Sequence, residues 1–388
     1  MSRIRQEWGL YPRNYSVKGR KKTVWWAYVW ENGKRKCFST GLTSKAEAHN
    51  EVMRLVSSGN LETVLVQKGE TVASMGKKIW DWDGEYITGK KMRGRMSRAY
   101  VVEMGNRFEM HVVPTLGQKT LASVSVADLE SLFLNLSKIL ASKSVNNIYA
   151  AAKAVFDEAE RLDVIVKNPF RKMRPFDSRS AERDVLGLQD AGEILHQIWW
   201  RDPVVWAINL TAAATGARVA ELCALRVKDV SKDRVWIGAT VRALEGVVDD
   251  TKTGDVGKRF SAIPPVVFEA LRELTEGQPP IAFVFRDRKD EHLGLEVPLK
   301  QLRAAIGRMN ERRLEANAPT CPVVTFHAWR HFVVSQLSAK CSSDAVSLHV
   351  GHAVGGIKGR YLHQTEAHIQ DCLKGVSDIF NELGRFGR

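Results

Sequence analysis

Thr215-Gly216-Ala217-Arg218-Val219-Ala220-Glu221-Leu222 reads as the end of one element and the start of another. Gly216 breaks the chain, because glycine turns into the left-handed region without steric cost, and a helix is predicted to begin around Arg218. Val219, Leu222 and Leu225 are spaced to face a core. Arg218 then stands at the rim of a buried surface, where a guanidinium needs an anionic partner. Taken alone, the simplest reading is a structural salt bridge with Glu221 or Asp229.

Downstream lie residues that give Arg218 company. Asp250-Thr251-Lys252-Thr253-Gly254 falls within a predicted short β-hairpin near Val235 to Ile263, whose returning strand runs from Lys258 to Pro264. In His327-Ala328-Trp329-Arg330-His331, helical spacing puts His327 and Arg330 on one face, able to address one ligand. Leu348-His349-Val350-Gly351-His352 closes a predicted short helix capped by Ser343 or Asp344, with Gly351 ending it and His352 left on a turn. Tyr361 follows in Gly359-Arg360-Tyr361-Leu362-His363, and beyond it Ile369, Leu373, Val376, Ile379, Phe380 and Leu383 form an amphipathic stretch.

Upstream, two further segments precede this one. Residues 1–65 read as a small β-sheet plus one helix: strands over Lys22–Trp30 and Lys34–Thr40, a turn at Asn32-Gly33, and a helix opened by Ser44 and Glu47 at capping-box spacing, with Ala48, Val52, Leu55 and Val56 as its stripe. Residues 71–170 read as a helical bundle. One helix spans Arg98 to His111, a second follows Ser125 and Asp128 with Leu129, Leu132, Phe133 and Leu136 inward, and a third runs from Ser144 to Pro169. Residues 171–183 are basic and aperiodic and are predicted to link the bundle to a largest, mainly helical segment, 184–388.

The formal net charge of +14 calls for a polyanionic partner, nucleic acid first and an anionic membrane surface second. No apolar run is long enough to span a bilayer and the first ten residues lack a signal-type apolar core, so the membrane drops out. Basic residues cluster at Lys34, Arg35 and Lys36, at Lys77, Lys78, Lys90, Lys91, Arg93 and Arg95, and at Arg171, Lys172 and Arg174. They are either solvated faces or DNA contacts, and a linker that touches a phosphate backbone would need this composition. The five cysteines are scattered and odd in number, which argues against a disulfide framework and a thiolate zinc site and fits a reducing compartment. A phosphate-binding G-x-x-x-x-G-K-[ST] loop, H-E-x-x-H and G-x-S-x-G are all missing from the sequence, so nothing suggests ATP hydrolysis, a zincin or a serine hydrolase.

The order arginine, hairpin lysine, His-x-x-Arg, histidine, tyrosine resembles the tyrosine recombinases, the phage integrase family. Arg218 matches the first arginine in a T-G-x-R-x-x-E-L setting, Lys252 the lysine, His327 and Arg330 the His-x-x-Arg pair, His352 the second histidine, and Tyr361 the nucleophile. Trp329 and His349 depart from the family's usual leucine and apolar residue. The resemblance implies a multidomain chain, mainly α with small β elements. Its parts would be an arm-type DNA-binding module of sheet plus helix, a helical core-binding domain, and a mixed, mainly-α catalytic domain.

It further implies cleavage and rejoining of DNA through a 3′-phosphotyrosine, needing no cofactor or metal, by a homotetramer on double-stranded DNA at core and arm-type sites. An excisionase or DNA-bending protein would be the accessory partner, and the location cytoplasmic, on the nucleoid of a bacterial host. In that chemistry the two arginines neutralise the scissile phosphate, His352 adds a hydrogen bond, Lys252 protonates the departing 5′ oxygen and His327 assists loss of the tyrosine proton. Three rival readings are a DNA-binding regulator that has lost catalysis, a type IB topoisomerase, and a metal protein using the His327/His331 and His349/His352 pairs. The stretch after Tyr361 either packs on its own domain or docks on a neighbouring protomer.

Overall fold

In the computed structural model of the chain, residues 8–17, 20–31, 34–40, 42–57, 70–94, 96–177, 185–249, 257–352 and 363–386 are described. The chain divides into two compact units, Met1–Ser180 and Ala181–Arg388.

The first unit opens with an antiparallel sheet of β1 (Trp8–Val17), β2 (Arg20–Glu31) and β3 (Lys34–Ser39), with β2 central. Glu31 pairs with Lys34 across the Asn32-Gly33 connection, which itself lies outside the described residues. β1 was not anticipated from the sequence. Pro12 interrupts its pattern, and the strand tolerates it because it is at an edge. Alternation along β2 turns Ala27 and Val29 toward α1 (Lys45–Ser57), where Val52 is buried, and Trp8 and Leu10 join them. Val56, expected on the stripe of α1, is instead exposed. The opposite sheet face carries Tyr11, Trp26 and Tyr28 in ring contact, with the Arg13 guanidinium 4.1 Å over the Trp26 ring.

The rest of this unit is helical: α2 (Val72–Ile79), α3 (Glu85–Arg93), α4 (Arg98–His111), α5 (Val113–Leu116), α6 (Val126–Ser137) and α7 (Ser142–Arg161). α6 begins on the reciprocal Ser125–Asp128 capping box, which turns Leu129, Leu132, Phe133 and Leu136 into the core. α7 does not reach Pro169. It stops at Arg161 in a Schellman turn, with Asp163 at φ 56° and the Val164 amide bonded to Ala159 O. The segment after it stays on the bundle: Phe170 is buried, Asn146 bonds both the amide and carbonyl of Phe176, and Arg171 pairs with Glu160 at 2.7 Å. The stretch expected to be linker from 171 is therefore packed down as far as 176, and 178–184 lie outside the described residues.

The second unit is built around α9 (Pro203–Thr215), which is buried on nearly all sides. Around it stand α8 (Leu188–Ile194), α10 (Val219–Cys223), α11 (Pro265–Thr275), α12 (Val297–Glu315), α13 (Ala328–Ser338), α14 (Ser343–Val350) and α15 (Glu366–Leu383). β4 (Arg234–Ile237) pairs with β7 (Arg259–Ala262), and β5 (Thr240–Arg242) with β6 (Gly246–Val248), all antiparallel. The expected single hairpin is thus two small sheets nested between Arg234 and Ala262. α15 packs on its own unit: Ile369, Cys372, Val376, Ile379 and Leu383 are buried there, and Glu366 forms a bidentate pair with Arg234. Among the described residues no helix is long and apolar enough to cross a membrane.

Candidate active site

Two left-handed glycines place the site. Gly216 (φ 60°) ends α9 and releases Arg218 as the N-cap residue of α10, while Gly351 (φ 72°) ends α14 and releases His352. Ser342, not Ser343 or Asp344, caps α14, its hydroxyl accepting the Ala345 amide. His327 sits exposed at the N-terminus of α13, and Arg330, three residues on, is only 3% exposed.

A continuous chain of hydrogen bonds joins these ends. Arg218 Nη1 donates to Glu221 Oε1 at 2.6 Å, and Arg259 Nη2 donates to Glu221 Oε2 at 3.0 Å. Arg259 Nε donates to His349 O at 2.9 Å, one residue before the Val350 carbonyl that accepts from Arg330 Nη1. Arg330 Nη1 also reaches Gly216 O at 3.0 Å, and its Nε donates to His352 Nε2 at 3.3 Å. The structure therefore brings Arg218, Arg330 and His352 into one neighbourhood. His327 joins through His331: their rings are 5.0 Å apart and edge-on, and His331 in turn acts electrostatically on His352. Lys252 and Tyr361 lie outside the described residues.

Electrostatics follow from two guanidiniums sharing the Glu221 carboxylate with a third, Arg330, close by. Burial, then the charges of Arg218 and Arg259, push Arg330 down to about 10, which leaves it a cation at neutral pH. Burial, then Arg330, Arg218 and Arg259, lower His352 as well, so its ring is biased neutral. Burial pushes Glu221 up, but the Arg259 and Arg218 charges outweigh it, and the carboxyl stays below its ordinary value. Among the described residues, Arg330 Nη2 is buried with no hydrogen-bond partner. A buried orphan guanidinium donor beside Arg218 suits an anionic oxygen such as that of a phosphodiester.

Arg218 thus makes the salt bridge that the bland reading expected and still faces the site, since its side chain keeps 23% exposure against 1% for Glu221. Arg259 was missed as a separate element. Its signal is an inverted strand pattern, with Arg259 and Ser261 inward and Phe260 outward. Trp329 and His349 also have explanations: the Trp329 indole is fully buried and donates to Asn209 Oδ1 at 2.9 Å, and both ring nitrogens of His349 meet backbone partners. That leaves His349 no nitrogen for a metal, and no group of three candidate metal ligands occurs among the described residues.

Residues 205–368 match the Phage integrase family. That match lies within the C-terminal unit. No curated protein sequence matches the chain. Solved integrases share its fold. The Tn1549 transposon integrase in complex with a circular intermediate DNA is 20% identical with a TM-score of 0.58, over 78% of this chain and 98% of its own. A lambda integrase tetramer bound to a Holliday junction is 15% identical with a TM-score of 0.58, over 92% of this chain and 98% of its own. A lambda integrase dimer bound to a core site is 14% identical with a TM-score of 0.57, over 91% and 94%.

The basic residues of the first unit divide by what they already touch. Lys77, Arg93, Lys172 and Arg174 are exposed, and Lys90, also exposed, lies 5.4 Å from the centre of the Tyr86 ring. Lys78 pairs with Glu70 at 2.8 Å, Arg171 with Glu160, and Lys91 lies 3.5 Å over the Trp82 ring while bonding its carbonyl. Those three are partly committed within the fold. Arg95 lies outside the described residues, and Lys34, Arg35 and Lys36 are described by backbone alone.

Proposed function

We propose that this integrase-family chain is a site-specific DNA recombinase that integrates, excises, or both, a mobile element through a covalent 3′-phosphotyrosine at Tyr361. The observation that supports it most is the Arg218–Glu221–Arg259 bridge set against Arg330 and His352, with Arg330 Nη2 buried and unengaged among the described residues. Two guanidiniums held by carboxylate and carbonyls rather than by each other's substrate are preorganised for the charge of a pentavalent phosphorus. Arg218 and Arg330 would take the non-bridging oxygens, and His352 would add a hydrogen bond once phosphate displaces its contact with Arg330. Lys252 would protonate the departing 5′ oxygen and His327 would assist loss of the Tyr361 proton. The phosphotyrosine bond conserves the energy of the broken one, so a 5′ hydroxyl reseals the strand without ATP.

The aromatic and cationic face of the N-terminal sheet suits an arm-type DNA site, and the helical bundle, with Lys77, Lys90, Arg93, Lys172 and Arg174 exposed, suits the core site. Assembly as a homotetramer on DNA, assistance by an excisionase or bending protein, and residence on the bacterial nucleoid belong to the same proposal. The test is a nicked suicide duplex built from the sequences that flank the gene. Wild-type protein should become trapped as a covalent adduct, and Tyr361→Phe should give none while still binding the DNA. Binding without adduct in the wild type would favour a silent regulator. Relaxation of plasmid supercoils without pairing of two sites would favour a topoisomerase.

A further inference from the structure

We propose that His349 is a positioning residue for the phosphate pocket: a neutral imidazole clamp that ties the end of α9 to β7 and thereby fixes Arg259, Arg330 and His352. This rests on the recombinase reading above. His349 lies in the last turn of α14, 1% exposed. Its Nε2 is 3.0 Å from Ala214 O and its Nδ1 is 3.3 Å from the Ala262 amide nitrogen. Both partners have fixed roles, since a carbonyl only accepts and an amide only donates. The ring must therefore carry its proton on Nε2 and keep Nδ1 bare, a single neutral tautomer.

The two anchors are well chosen for the site. Ala214 O is one of the carbonyls that a helix end leaves without an intrahelical partner, two residues before the Gly216 carbonyl that holds Arg330. Ala262 closes β7, the strand that begins with Arg259. The backbone of His349 completes the tie, because its carbonyl accepts from Arg259 Nε at 2.9 Å and from Ser261 Oγ at 2.8 Å. The next carbonyl, Val350 O, accepts from Arg330, and His352 follows the left-handed Gly351. Burial above all, then the charges of Arg259 and Arg330 against the bond to Ala214, hold the imidazole at about 4, so it stays neutral across the working range. An apolar side chain here would fill the same space but orphan a buried carbonyl and a buried amide at the two seams that carry the arginines.

The test uses the full chain and two substitutions. His349→Gln keeps one donor and one acceptor at comparable reach, whereas His349→Leu keeps the bulk and loses both. Adduct formation is followed in single turnover on the nicked duplex from the flanking sequences, with DNA affinity measured separately. His349→Leu should slow adduct formation about 100-fold, the scale of a misplaced catalytic group, with affinity for the duplex within about twofold of wild type. His349→Gln should recover most of the rate. In the wild-type protein, ¹⁵N shifts of the ring should report the Nε2–H tautomer without titration from about pH 5 to 8. An unchanged rate per folded molecule in His349→Leu, a His349→Gln variant as slow as the leucine one, or a ring titrating at the ordinary histidine value would overturn the clamp. Should His349→Leu fail to fold, the glutamine variant and the tautomer still decide. A wild-type protein that forms no adduct overturns the recombinase reading and this role together, whereas a normal wild type with an indifferent leucine variant overturns this role alone.

Discussion

Arg330 donates its Nε–H to His352 Nε2 across 3.3 Å, so two side chains 22 residues apart in sequence form one unit at the mouth of the pocket. Groups that share a hydrogen bond are not independent, and their substitutions should not add. Arg330→Lys keeps a charge but loses the Nη1 that donates to both Gly216 O and Val350 O, and the Nε that donates to His352, while His352→Asn loses the imidazole. Each should slow adduct formation by about 100- to 1000-fold, the cost of one preorganised donor. The double variant should be faster than the product of the two effects, with a coupling of about 1–3 kcal/mol. A strictly additive cycle, measured by single-turnover cleavage, would dissolve the unit.

Glu221 is the anion that lets Arg218 and Arg259 share the interior. Arg259 is 2% exposed and Glu221 1%, and burial, eased by the Glu221 charge, already lowers the guanidinium. Glu221→Gln keeps the shape and removes the charge, leaving a buried cation uncompensated. The expected loss is about 3–5 kcal/mol of stability. For a unit of this size that is a fall in melting temperature of roughly 6–20 °C. Glu269→Gln, which breaks only the surface pair with Arg272, should stay within about 0.5 kcal/mol. Calorimetry on the two variants settles the contrast, and equal melting temperatures would count against the bridge.

Local signals were legible where a side chain and its consequence are close in sequence. The capping pair Ser125 and Asp128, the limits of the Arg98–His111 helix, and the glycines at 216 and 351 all read correctly because each acts within one turn. β1 did not read, because Pro12 is tolerated only by an edge position, and edges are set by tertiary pairing. The end of α7 did not read either, because Asp163 occupies the left-handed turn where glycine is the usual marker. Arg218, Arg330 and His352, which the structure brings together, stood in the sequence as residue types in order, but the elements that connect them did not. Arg259 meets Glu221 38 residues away and His349 O 90 residues away, and no local pattern announces either partner.

Gly351 tests whether the turn or the neighbour matters more. A Cβ there would stand 2.7 Å from Arg259 Nη1, at a φ of 72°. Gly277 has almost the same φ, 71°, with nothing within 4 Å. Gly277→Ala should therefore cost only backbone strain, about 1–2 kcal/mol, and leave cleavage untouched. Gly351→Ala adds displacement of the Arg259 guanidinium. It should lower stability further and slow adduct formation about tenfold or more, because Arg259 shares Glu221 with Arg218. Equal behaviour of the two alanine variants in melting and cleavage would show that the contact with Arg259 is inconsequential.

Acid should loosen the second unit before its carboxylates protonate, and the sign follows from His349. Its folded value of about 4 lies below the ordinary 6.5, so the unfolded chain binds the proton more tightly. The stability this neutral ring contributes is fully present above pH 6.5 and drains away as the pH falls toward 4. The span is worth about 3 kcal/mol at 1.36 kcal/mol per unit. His352, also lowered by burial and by the arginines, pushes the same way. Glu221, held below its ordinary 4.5, surrenders its contribution only at more acidic pH, which keeps the two windows apart. Urea unfolding of the wild type between pH 7 and 4.5 should therefore show a decline that is markedly flatter in His349→Gln. In the folded protein the ring stays neutral through this interval, so adduct formation per folded molecule should hold until the pH nears 4, where protonation removes the acceptor for the Ala262 amide. A wild type whose stability is level across that interval would mean that the ring is not confined to its neutral form, and the tie between α9 and β7 would have to be sought elsewhere.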